Sequence, residues 1–469
     1  MNIRRTKIIC TIGPVTASYP KLEALYGAGM NLVRLNMSHS DHAGALKIIH
    51  WIKTLNRKVR YPIPILLDTQ GPEIRTGEIN EPIELETGQV VTVSVRADDV
   101  ETSSIHVNYS ELIDVLKVGN RLTVDNGLIN FEVLEKKRHQ LVCKVIDGGT
   151  LGSKRHVNLP GIRINLPSIT AKDRKDIAFG LEHDVDFIAL SFVRSAKDVF
   201  ELRQLLSSKG KAQSAHIIAK IEDQEGVHNV HEIVRAADGV MVARGDLGIE
   251  TDIADLPNIQ RRIIHSCAKW GKRSIVATHL LESMIENPMP TRAEVTDVAN
   301  AIYEGVDGIM LSGETTLGKY PVRCVEQLDA IARQTEKWPG IGYEKELVAE
   351  TDKQHLANNA VTLAEDIDAA GIVVITRRGL TADMVTSARP RTVPIYAFTN
   401  SSKTRRRLSL NRAVLSYRIQ FSNEPEKTLQ RALNILKLRE GFAENAKVVV
   451  ISDVLAQRKT DAIQLRYIG

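Results

Sequence analysis

Eight short apolar runs recur between residues 7 and 312, and patterns typical of helices separate most of them. The runs cover residues 7–12, 31–36, 63–68, 186–193, 215–221, 239–243, 274–278 and 308–312. They are rich in Ile, Val and Leu without strict alternation, which is typical of strands in a parallel sheet covered on both faces. Apolar residues at helical spacing follow at 46–51, 199–206, 259–270 and 292–302. The repeated βα unit predicts an α/β fold with a (β/α)8 TIM barrel.

A long insertion interrupts the third βα unit. Within it, residues 90–95, 121–124 and 141–146 alternate between apolar and polar side chains, and Gly148-Gly149 indicates a turn. This pattern predicts a small β-barrel lid domain, residues 72–166, inserted in a loop of the barrel. The barrel domain is then expected to comprise residues 1–71 and 167–340.

A third domain is predicted from residue 341 to residue 469. Trp338-Pro339-Gly340 and the polar residues 343–354 indicate a linker. Strand-like runs follow at 372–376, 394–398, 414–417, 447–451 and 463–467, with helical stretches between most of them. This alternation predicts a C-terminal α/β domain. Three domains also agree with a length of 469 residues, which exceeds what one ordinary core supports.

Charge and cysteine usage exclude several classes of protein. There are 62 basic and 57 acidic residues, and a net charge of +5 is too small to indicate a nucleic-acid or membrane partner. The four cysteines lie far apart without a CxxC pair, which favours reduced thiols and a cytoplasmic location. The apolar run near the N-terminus is too short for a signal peptide or a membrane span, so we expect neither export nor insertion.

Polar residues cluster where the predicted barrel strands end, which is where barrel enzymes place their active sites. Glu222 and Asp246 follow neighbouring strands, and paired carboxylates suit a hard divalent cation such as Mg²⁺. Arg34, Arg75 and Lys220 supply the positive charge that phosphoryl transfer needs. A single charged strand end is explained as well by a salt bridge, but complementary chemistry at six strand ends favours one catalytic site.

Several motifs at these positions resemble those of the pyruvate kinase family. In the barrel they are Thr6-Lys-Ile-Ile-Cys-Thr-Ile-Gly-Pro14, Val33-Arg-Leu-Asn-Met-Ser-His39, Leu67-Asp-Thr-Gln-Gly-Pro-Glu-Ile-Arg75, Ala219-Lys-Ile-Glu222, Gly239-Val-Met-Val-Ala-Arg-Gly-Asp246, Ala277-Thr-His-Leu-Leu-Glu-Ser-Met284 and Met310-Leu-Ser-Gly-Glu-Thr315. The likeness covers the whole barrel in order and continues more weakly in the insert and the C-terminal domain. It implies transfer of the phosphoryl group of phosphoenolpyruvate to ADP, the last step of glycolysis.

The resemblance also implies roles for individual residues. Lys220, Arg75 and Thr278 would be catalytic, and Glu222 and Asp246 would hold Mg²⁺ or Mn²⁺. The substrate would contact Arg34, Lys220, Ala243, Arg244, Gly245, Asp246 and Thr278. The nucleotide would contact Arg34, Asn36, His39, Arg75 and Arg155. Asn36, Ser38, Asp68 and Thr69 match positions that bind K⁺ in the potassium-dependent members.

Four positions depart from the family pattern. Gln70 replaces a usual lysine and is more typical of potassium-independent members, whereas Glu73 is typical of potassium-dependent ones. His279 stands where glutamine is usual, and we interpret it as a neutral residue of the site wall. Arg155-His156 replaces the usual Lys-Gly, which keeps a phosphate ligand but loses the freedom of the glycine.

The C-terminal domain carries a local excess of positive charge. Residues 376–412 contain nine basic side chains and one acid, Asp383. The family often binds a phosphorylated effector here, and Thr376, Ser401, Ser402, Thr404 and Arg405 are the candidate ligands. The segment lacks the serine-rich loop typical of a fructose-1,6-bisphosphate site. The alternative is that the arginines cover a helix face or pair with another subunit.

Two other functions are compatible with parts of the sequence. A catalytically silent, pyruvate-kinase-like sensor of sugar phosphates would use the basic C-terminal segment, but the retained Lys220, Glu222 and Asp246 argue against it. A barrel lyase of the aldolase type would use an enolate with Mg²⁺, but an inserted lid that excludes water suits phosphoryl transfer better. The resemblance further predicts a homotetramer.

Overall fold

The chain begins with the first three strands of a barrel. The structure, a computed structural model, describes residues 3–96, 104–125, 127–162, 164–208, 215–452 and 462–469. The first elements are β1 (Lys7–Thr11), α1 (Tyr19–Ala28), β2 (Leu32–Asn36), α2 (His42–Leu55) and β3 (Ile65–Asp68). The Asp41 side chain caps α2 by accepting the Gly44 backbone N–H, so the polar loop after β2 turns directly into a helix.

After β3 the chain leaves the barrel and forms the lid. Its elements are β4 (Ile83–Leu85), β5 (Val90–Ser94), β6 (Ser104–His106), α3 (Leu112–Val115), β7 (Arg121–Val124), β8 (Ile129–Lys136), β9 (Gln140–Asp147), β10 (Gly149–Leu151) and β11 (Val157–Asn158). One sheet has the order β11-β7-β8-β9-β5-β6, and β10 pairs with β4. Both sheets contribute to one core that includes Phe131, Leu85 and Leu151. The predicted β lid is therefore an independent layer with its own apolar interior.

The remaining five units complete the barrel. Their elements are α4 (Ala171–Glu182), β12 (Phe187–Leu190), α5 (Ala196–Ser208), β13 (His216–Ile221), α6 (Gln224–His228), α7 (Val230–Ala236), β14 (Gly239–Ala243), α8 (Arg244–Glu250), α9 (Leu256–Lys269), β15 (Arg273–Ala277), α10 (Arg292–Tyr303), β16 (Gly308–Leu311), α11 (Gly313–Thr316) and α12 (Pro321–Thr335). All eight strands are parallel in the order β1-β16-β15-β14-β13-β12-β3-β2. The pairing of β1 with β16 closes the barrel and confirms the predicted fold class.

The C-terminal domain is a five-stranded sheet between helices. Its elements are α13 (Asp352–Asp366), β17 (Gly371–Ile375), α14 (Leu380–Ser387), β18 (Ile395–Thr399), α15 (Ser402–Arg407), β19 (Val414–Arg418), α16 (Pro425–Ile435), β20 (Lys447–Ser452) and β21 (Ala462–Tyr467). The order is β19-β18-β17-β20-β21, with β21 antiparallel. Separate apolar clusters cover the two faces of this sheet, as expected for the predicted α/β domain.

The C-terminal domain closes the N-terminal end of the barrel. Leu410 is buried in the barrel interior together with Ile9, Phe187 and Met310. Arg389 hydrogen-bonds Asp307, which immediately precedes β16. The C-terminal domain therefore does not cover the opposite rim, where the strands end and the lid is inserted.

Two simpler expectations concern membranes and disulfides. Across the described ranges, the helices are either too short or too polar to cross a bilayer. Cys10, Cys143, Cys267 and Cys324 are all buried and form no disulfide.

Candidate active site

Lys220 lies at the rim of the barrel, as the next-to-last residue of β13. Its Nζ donates to Ser191 Oγ at 2.7 Å and lies 3.1 Å from Asp68 Oδ1 and 3.0 Å from Glu222 Oε1. Burial by itself lowers the pKa of Lys220, but the carboxylates of Asp68 and Glu222 raise it above its ordinary value. The ammonium group is therefore a fixed positive charge and not a base at neutral pH.

Two carboxylates lie beside this ammonium group. Glu222 is buried and accepts the Phe192 backbone N–H at 2.6 Å. Burial raises the pKa of both Glu222 and Asp246, and the charge of Asp246 adds to the effect on Glu222. Among the described residues, no three His, Cys, Asp or Glu side chains form a complete metal cage. Glu222 is buried and Asp246 is half-buried, and these two carboxylates with excess negative charge fit a divalent cation that takes its other ligands from water and substrate.

Arg34 is held against the floor of the site. Its Nε donates to Asp68 Oδ2 at 2.6 Å and its Nη1 to Thr11 Oγ1 at 3.0 Å. Asp68 thus contacts both Arg34 and Lys220, and its pKa is lowered despite burial because these two cations face it. Thr69 Oγ1 accepts the Ser191 backbone N–H at 3.1 Å, which ties the ends of β3 and β12 together.

Arg75 reaches the site from the segment that leads into the lid. Its Nε donates to Glu73 Oε2 at 2.7 Å and its Nη1 to the Lys154 carbonyl at 2.8 Å. Gln70 Nε2 donates to the same Glu73 oxygen at 2.9 Å. Glu73 therefore orients Arg75, and Gln70 orients Glu73.

A second group surrounds the start of α8. Thr278 Oγ1 accepts the Gly245 backbone N–H at 2.8 Å and donates to the Ala277 carbonyl at 2.6 Å. The Arg244 guanidinium donates to the Thr278 carbonyl at 2.7 Å and lies 2.7 Å from Asp297 Oδ2. The Arg244 side chain is therefore occupied by Thr278 and Asp297 in the wall of the site. The backbone that follows it, at Gly245, contacts the Thr278 hydroxyl.

Three residues that follow barrel strands at this rim have a left-handed backbone. Phe192, Thr278 and His279 have φ values of 50°, 69° and 53°, in the left-handed region that a β-branched residue such as threonine rarely adopts. Such conformations persist only where the surroundings impose them. The His279 side chain is 57% exposed, with Nε2 3.5 Å from Glu282 Oε2, so it lies at the rim's outer edge.

One cavity of about 550 Å³ joins most of the predicted residues. Its lining includes Arg34, Asn36, Ser38, His39, Arg75, Arg155, Lys220, Glu222 and Asp246. Ala243, Arg244, Gly245 and Thr278 do not line it, and lie behind Asp246 on the adjoining strand ends. Asp68 and Thr69 lie beneath the floor, fully buried.

Comparison with known proteins agrees with this geometry. The family model for the pyruvate kinase barrel domain matches residues 3–325, and the model for the pyruvate kinase alpha/beta domain matches residues 354–465. The chain belongs to the pyruvate kinase family. The function and enzyme class predicted from the motifs are thereby confirmed.

Individual members of the pyruvate kinase family match over nearly the whole chain. Plastidial pyruvate kinase 2 of Arabidopsis thaliana is 40% identical over 99% of this chain and 81% of its own length. The pyruvate kinase of Geobacillus stearothermophilus is 42% identical over 96% of this chain and 77% of its own length. The crystal structure of a pyruvate kinase from Cryptosporidium parvum has a TM-score of 0.94 at 34% identity, covering 99% of this chain and 96% of that one.

The lid of this pyruvate kinase contacts the barrel beside the site. Arg75 and His156 form an isolated antiparallel bridge, and the Arg155 backbone N–H donates to Thr76 Oγ1 at 2.8 Å. Asn158 Nδ2, at the end of β11, donates to Glu250 Oε1 at 2.8 Å, and Glu250 ends α8. Because α8 also carries Asp246, this bond links the lid to the carboxylate pair. Burial raises the pKa of Glu250 to about 7.

Sequence reasoning missed several residues of the site. Ser191 and Phe192 contact Lys220 and Glu222, and Asp173 Oδ1 accepts the backbone N–H groups of Gln70 and Gly71, both at 3.1 Å. Ser191 and Phe192 follow β12, but the predicted strand extended to residue 193, so the strand-end rule did not select them.

In the C-terminal basic segment, the candidate effector ligands make local hydrogen bonds, and several basic side chains contact the barrel. Thr404 donates its backbone N–H to Ser401 Oγ at 3.2 Å, and Arg418 donates to Ser402 Oγ at 2.8 Å. Thr376 Oγ1 accepts the Gly379 backbone N–H at 3.1 Å. Several of the basic side chains bind the barrel of the same chain: Arg405 to the Arg60 carbonyl, Lys403 to Asp184, Arg406 to Asp184 and Asp186, and Arg389 to Asp307.

Proposed function

We propose that the cavity around Lys220 catalyses phosphoryl transfer from phosphoenolpyruvate to ADP, with the named residues in the following roles. The observation that carries the proposal is the position of Lys220 Nζ, a buried and permanently charged ammonium group beside Glu222 and Asp246. Loose phosphoryl-transfer transition states gain most from positioning and from fixed positive charge. Lys220 supplies such charge at a place from which water is largely excluded.

Arg34, Arg75 and Lys220 act on the transferring group. The three cations approach the cavity from β2, from the segment after β3 and from β13, so they surround one space. An oxygen of the ADP terminal phosphate attacks phosphorus while the bond from phosphorus to the enol oxygen breaks. Asn36, His39 and Arg155 also line the cavity and bind the nucleotide. Arg155 belongs to the lid, so nucleotide binding and lid position are coupled.

Thr278 acts on the second half of the reaction. Loss of the phosphoryl group leaves an enolate, whose methylene carbon must gain a proton to give pyruvate. The hydroxyl of Thr278 is fixed by Gly245 and Ala277. It orients a water molecule that gives a proton to this carbon, and the resulting hydroxide regains a proton from bulk solvent. The backbone of Ala243, Arg244 and Gly245 binds the substrate carboxylate. The next residue, Asp246, is one of the two proposed ligands of the divalent cation.

The carboxylate pair Glu222 and Asp246 would hold Mg²⁺ or Mn²⁺. When bound, such a cation supplies positive charge to oxygens that become more negative during transfer. Asn36, Ser38, Asp68 and Thr69 would hold K⁺. Glu73 favours potassium dependence and Gln70 favours independence, and their hydrogen bond joins the two positions in one network.

The test is formation of ATP from phosphoenolpyruvate and ADP by the purified protein. We expect turnover with Mg²⁺, none with a chelator, and stimulation by K⁺ over Na⁺ at equal ionic strength. Turnover that is the same with either monovalent ion would contradict the K⁺ site alone. Absence of turnover in every condition would favour the silent sensor.

The domain bounds 1–71 with 167–340, 72–166 and 341–469 belong to the same proposal. So do a homotetramer, a cytoplasmic location, and a phosphorylated effector bound by Thr376, Ser401, Ser402, Thr404 and Arg405. Relatives of this chain include plastidial and bacterial enzymes. Mass measurement in solution tests the tetramer, and a stable monomer would contradict it.

A further inference from the structure

A second cavity lies far from the active site, where the barrel, the linker and the C-terminal domain meet. We call it the junction cavity. Its volume is about 210 Å³. Six basic side chains line it, against three acidic ones. The basic residues are Arg5, Lys337, Lys345, Arg389, Arg391 and Arg412, and the acidic residues are Glu304, Glu336 and Glu344.

Arg412 is the unusual member of this group. It is only 9% exposed, and its Nε is buried without a hydrogen-bond partner. Within the described ranges, its guanidinium takes part in no ion pair and no side-chain hydrogen bond, although its backbone N–H donates to Asp307 Oδ1 at 3.3 Å. A buried charge without a partner is costly, so its retention indicates a ligand that the chain itself does not supply.

The neighbouring carboxylates are already engaged by other groups. Glu336 accepts the backbone N–H groups of Arg5 and Thr6 at 2.8 and 2.7 Å, and the Thr6 hydroxyl at 2.8 Å. Asp307 lies beneath Arg389 and Arg273, at 2.8 and 3.1 Å. Neither carboxylate lies within ion-pair distance of the Arg412 guanidinium among the described contacts.

Glu304, another acid of the cavity, is also engaged by neighbouring side chains. Glu304 accepts from Gln260 at 2.9 Å and from Arg261 at 3.4 Å. Burial lowers the pKa of Arg412 to about 10, while the charge of Glu336 and, more weakly, that of Asp307 oppose the shift and the charges of Arg5 and Arg389 add to it. Arg391 and Lys345 add exposed positive charge at the entrance.

We infer that the junction cavity binds a small phosphate-type anion, either inorganic phosphate or the phosphoryl group of a small metabolite, through Arg412 and Arg391. A planar guanidinium binds two phosphate oxygens at once, and the small volume excludes a nucleotide. The site is separate from the active site and from residues 401–405. Because its residues come from the barrel, the linker and the C-terminal domain, the anion would hold these three parts together.

The test measures inorganic phosphate binding to the full-length protein at constant ionic strength, by calorimetry and by melting temperature. Arg412→Met keeps the bulk of the side chain and removes its charge. We expect its phosphate affinity at this site to fall about tenfold or more, since a charge-assisted contact is lost. In phosphate-free buffer the variant should be at least as stable as the wild type, because an unpaired charge is gone.

Two further variants guard against indirect effects. Arg391 is exposed, so Arg391→Met should fold normally. We expect it to bind phosphate more weakly than the wild type does. Arg292 is an exposed arginine at the start of α10, outside the cavity, and Arg292→Met should bind phosphate as the wild type does. Phosphate bound at the active site is common to all these proteins and cancels in the comparison. If Arg412→Met does not fold, Arg391→Met alone decides the question.

A parallel titration with glycerol 3-phosphate distinguishes the source of the anion. Affinity for the phosphomonoester well above that for phosphate, lost in Arg412→Met, would identify a metabolite, and equal affinities would identify inorganic phosphate. Phosphate affinities that do not differ between the wild type and the Arg412 and Arg391 variants would overturn the inference.

Discussion

Arg389 of the C-terminal domain forms two parallel hydrogen bonds with Asp307 of the barrel, at 2.9 and 2.8 Å. Both residues are buried, and Arg273 adds a third contact to the same carboxylate. Although burial opposes it, the two guanidinium groups lower the pKa of Asp307 to about 2. This pair connects the catalytic barrel to the C-terminal domain through buried groups of opposite charge.

Replacement of Asp307 by asparagine should destabilise the protein strongly. It leaves two buried guanidinium groups without a counter-charge, which costs about 3–5 kcal/mol. Asp184→Asn is the matched control, since Asp184 is half exposed and its ion pairs should contribute about 1 kcal/mol or less. Denaturant unfolding measures both. Equal stabilities of the two variants would contradict the role of Asp307.

The same carboxylate predicts a dependence of stability on acid. Because its pKa in the folded protein is lowered from the ordinary 3.8 to about 2, its contribution is complete above pH 3.8 and is lost as pH falls through 2. The difference in unfolding free energy between the wild type and Asp307→Asn should therefore shrink below pH 4. A difference that stays constant down to pH 2 would contradict this assignment.

Glu250→Gln should stabilise the protein at alkaline pH. The pKa of Glu250 is raised to about 7, so its ionisation in the folded state costs stability as pH rises from about 4.5 through 7. Glutamine keeps an oxygen for Asn158 and does not ionise. We expect nearly equal melting temperatures at pH 5 and a gain on the order of 1–3 kcal/mol at pH 8. The control Glu23→Gln changes an exposed residue and should have little effect at either pH.

Thr278→Ala should lower kcat about a hundredfold, the lower end of what general acid–base groups contribute. Thr278→Ser keeps the hydroxyl that Gly245 and Ala277 position, and should retain most of the activity. Steady-state kinetics with both substrates saturating measures the two variants. An alanine variant as active as the serine variant would contradict the proposed proton transfer.

Glu73→Gln should raise the KM for ADP more than it lowers kcat. The change weakens the ion pair that orients Arg75, which is partly exposed, so we expect an effect of several-fold, equivalent to about 1 kcal/mol. Glu78→Gln removes an exposed partner of Lys154 in the same segment and serves as the control. Unchanged KM values for Glu73→Gln would show that Arg75 does not need this partner.

Much of the fold was predictable because its strands are continuous apolar runs. The run 239–243 coincides with β14, and the run 308–312 exceeds β16 by one residue. The site residues followed because a barrel places every strand end on one rim. The motif resemblance then assigned each of them a chemical role.

The errors have specific causes. The apolar run 186–193 was interpreted as one strand, but β12 ends at Leu190, so Ser191 and Phe192 already belong to the rim. The apolar pattern does not mark the end of β12, because the apolar residue Phe192 continues the run. Phe192 contributes to the site through its backbone N–H, which donates to Glu222. The contact between Asn158 and Glu250 depends on how the lid folds back on the barrel, which local sequence does not determine. The same applies to the basic C-terminal residues that bind Asp184, Asp186 and Asp307.

The most direct test of the account is the activity of Lys220→Met, assayed as ATP formation from phosphoenolpyruvate and ADP with Mg²⁺. Methionine keeps the length of the side chain and removes the charge that Asp68, Ser191 and Glu222 hold in place. We predict a folded protein whose kcat falls by about a thousandfold or more, as expected when a group that stabilises developing charge is removed. A folded variant that retains wild-type turnover would contradict the central role of Lys220.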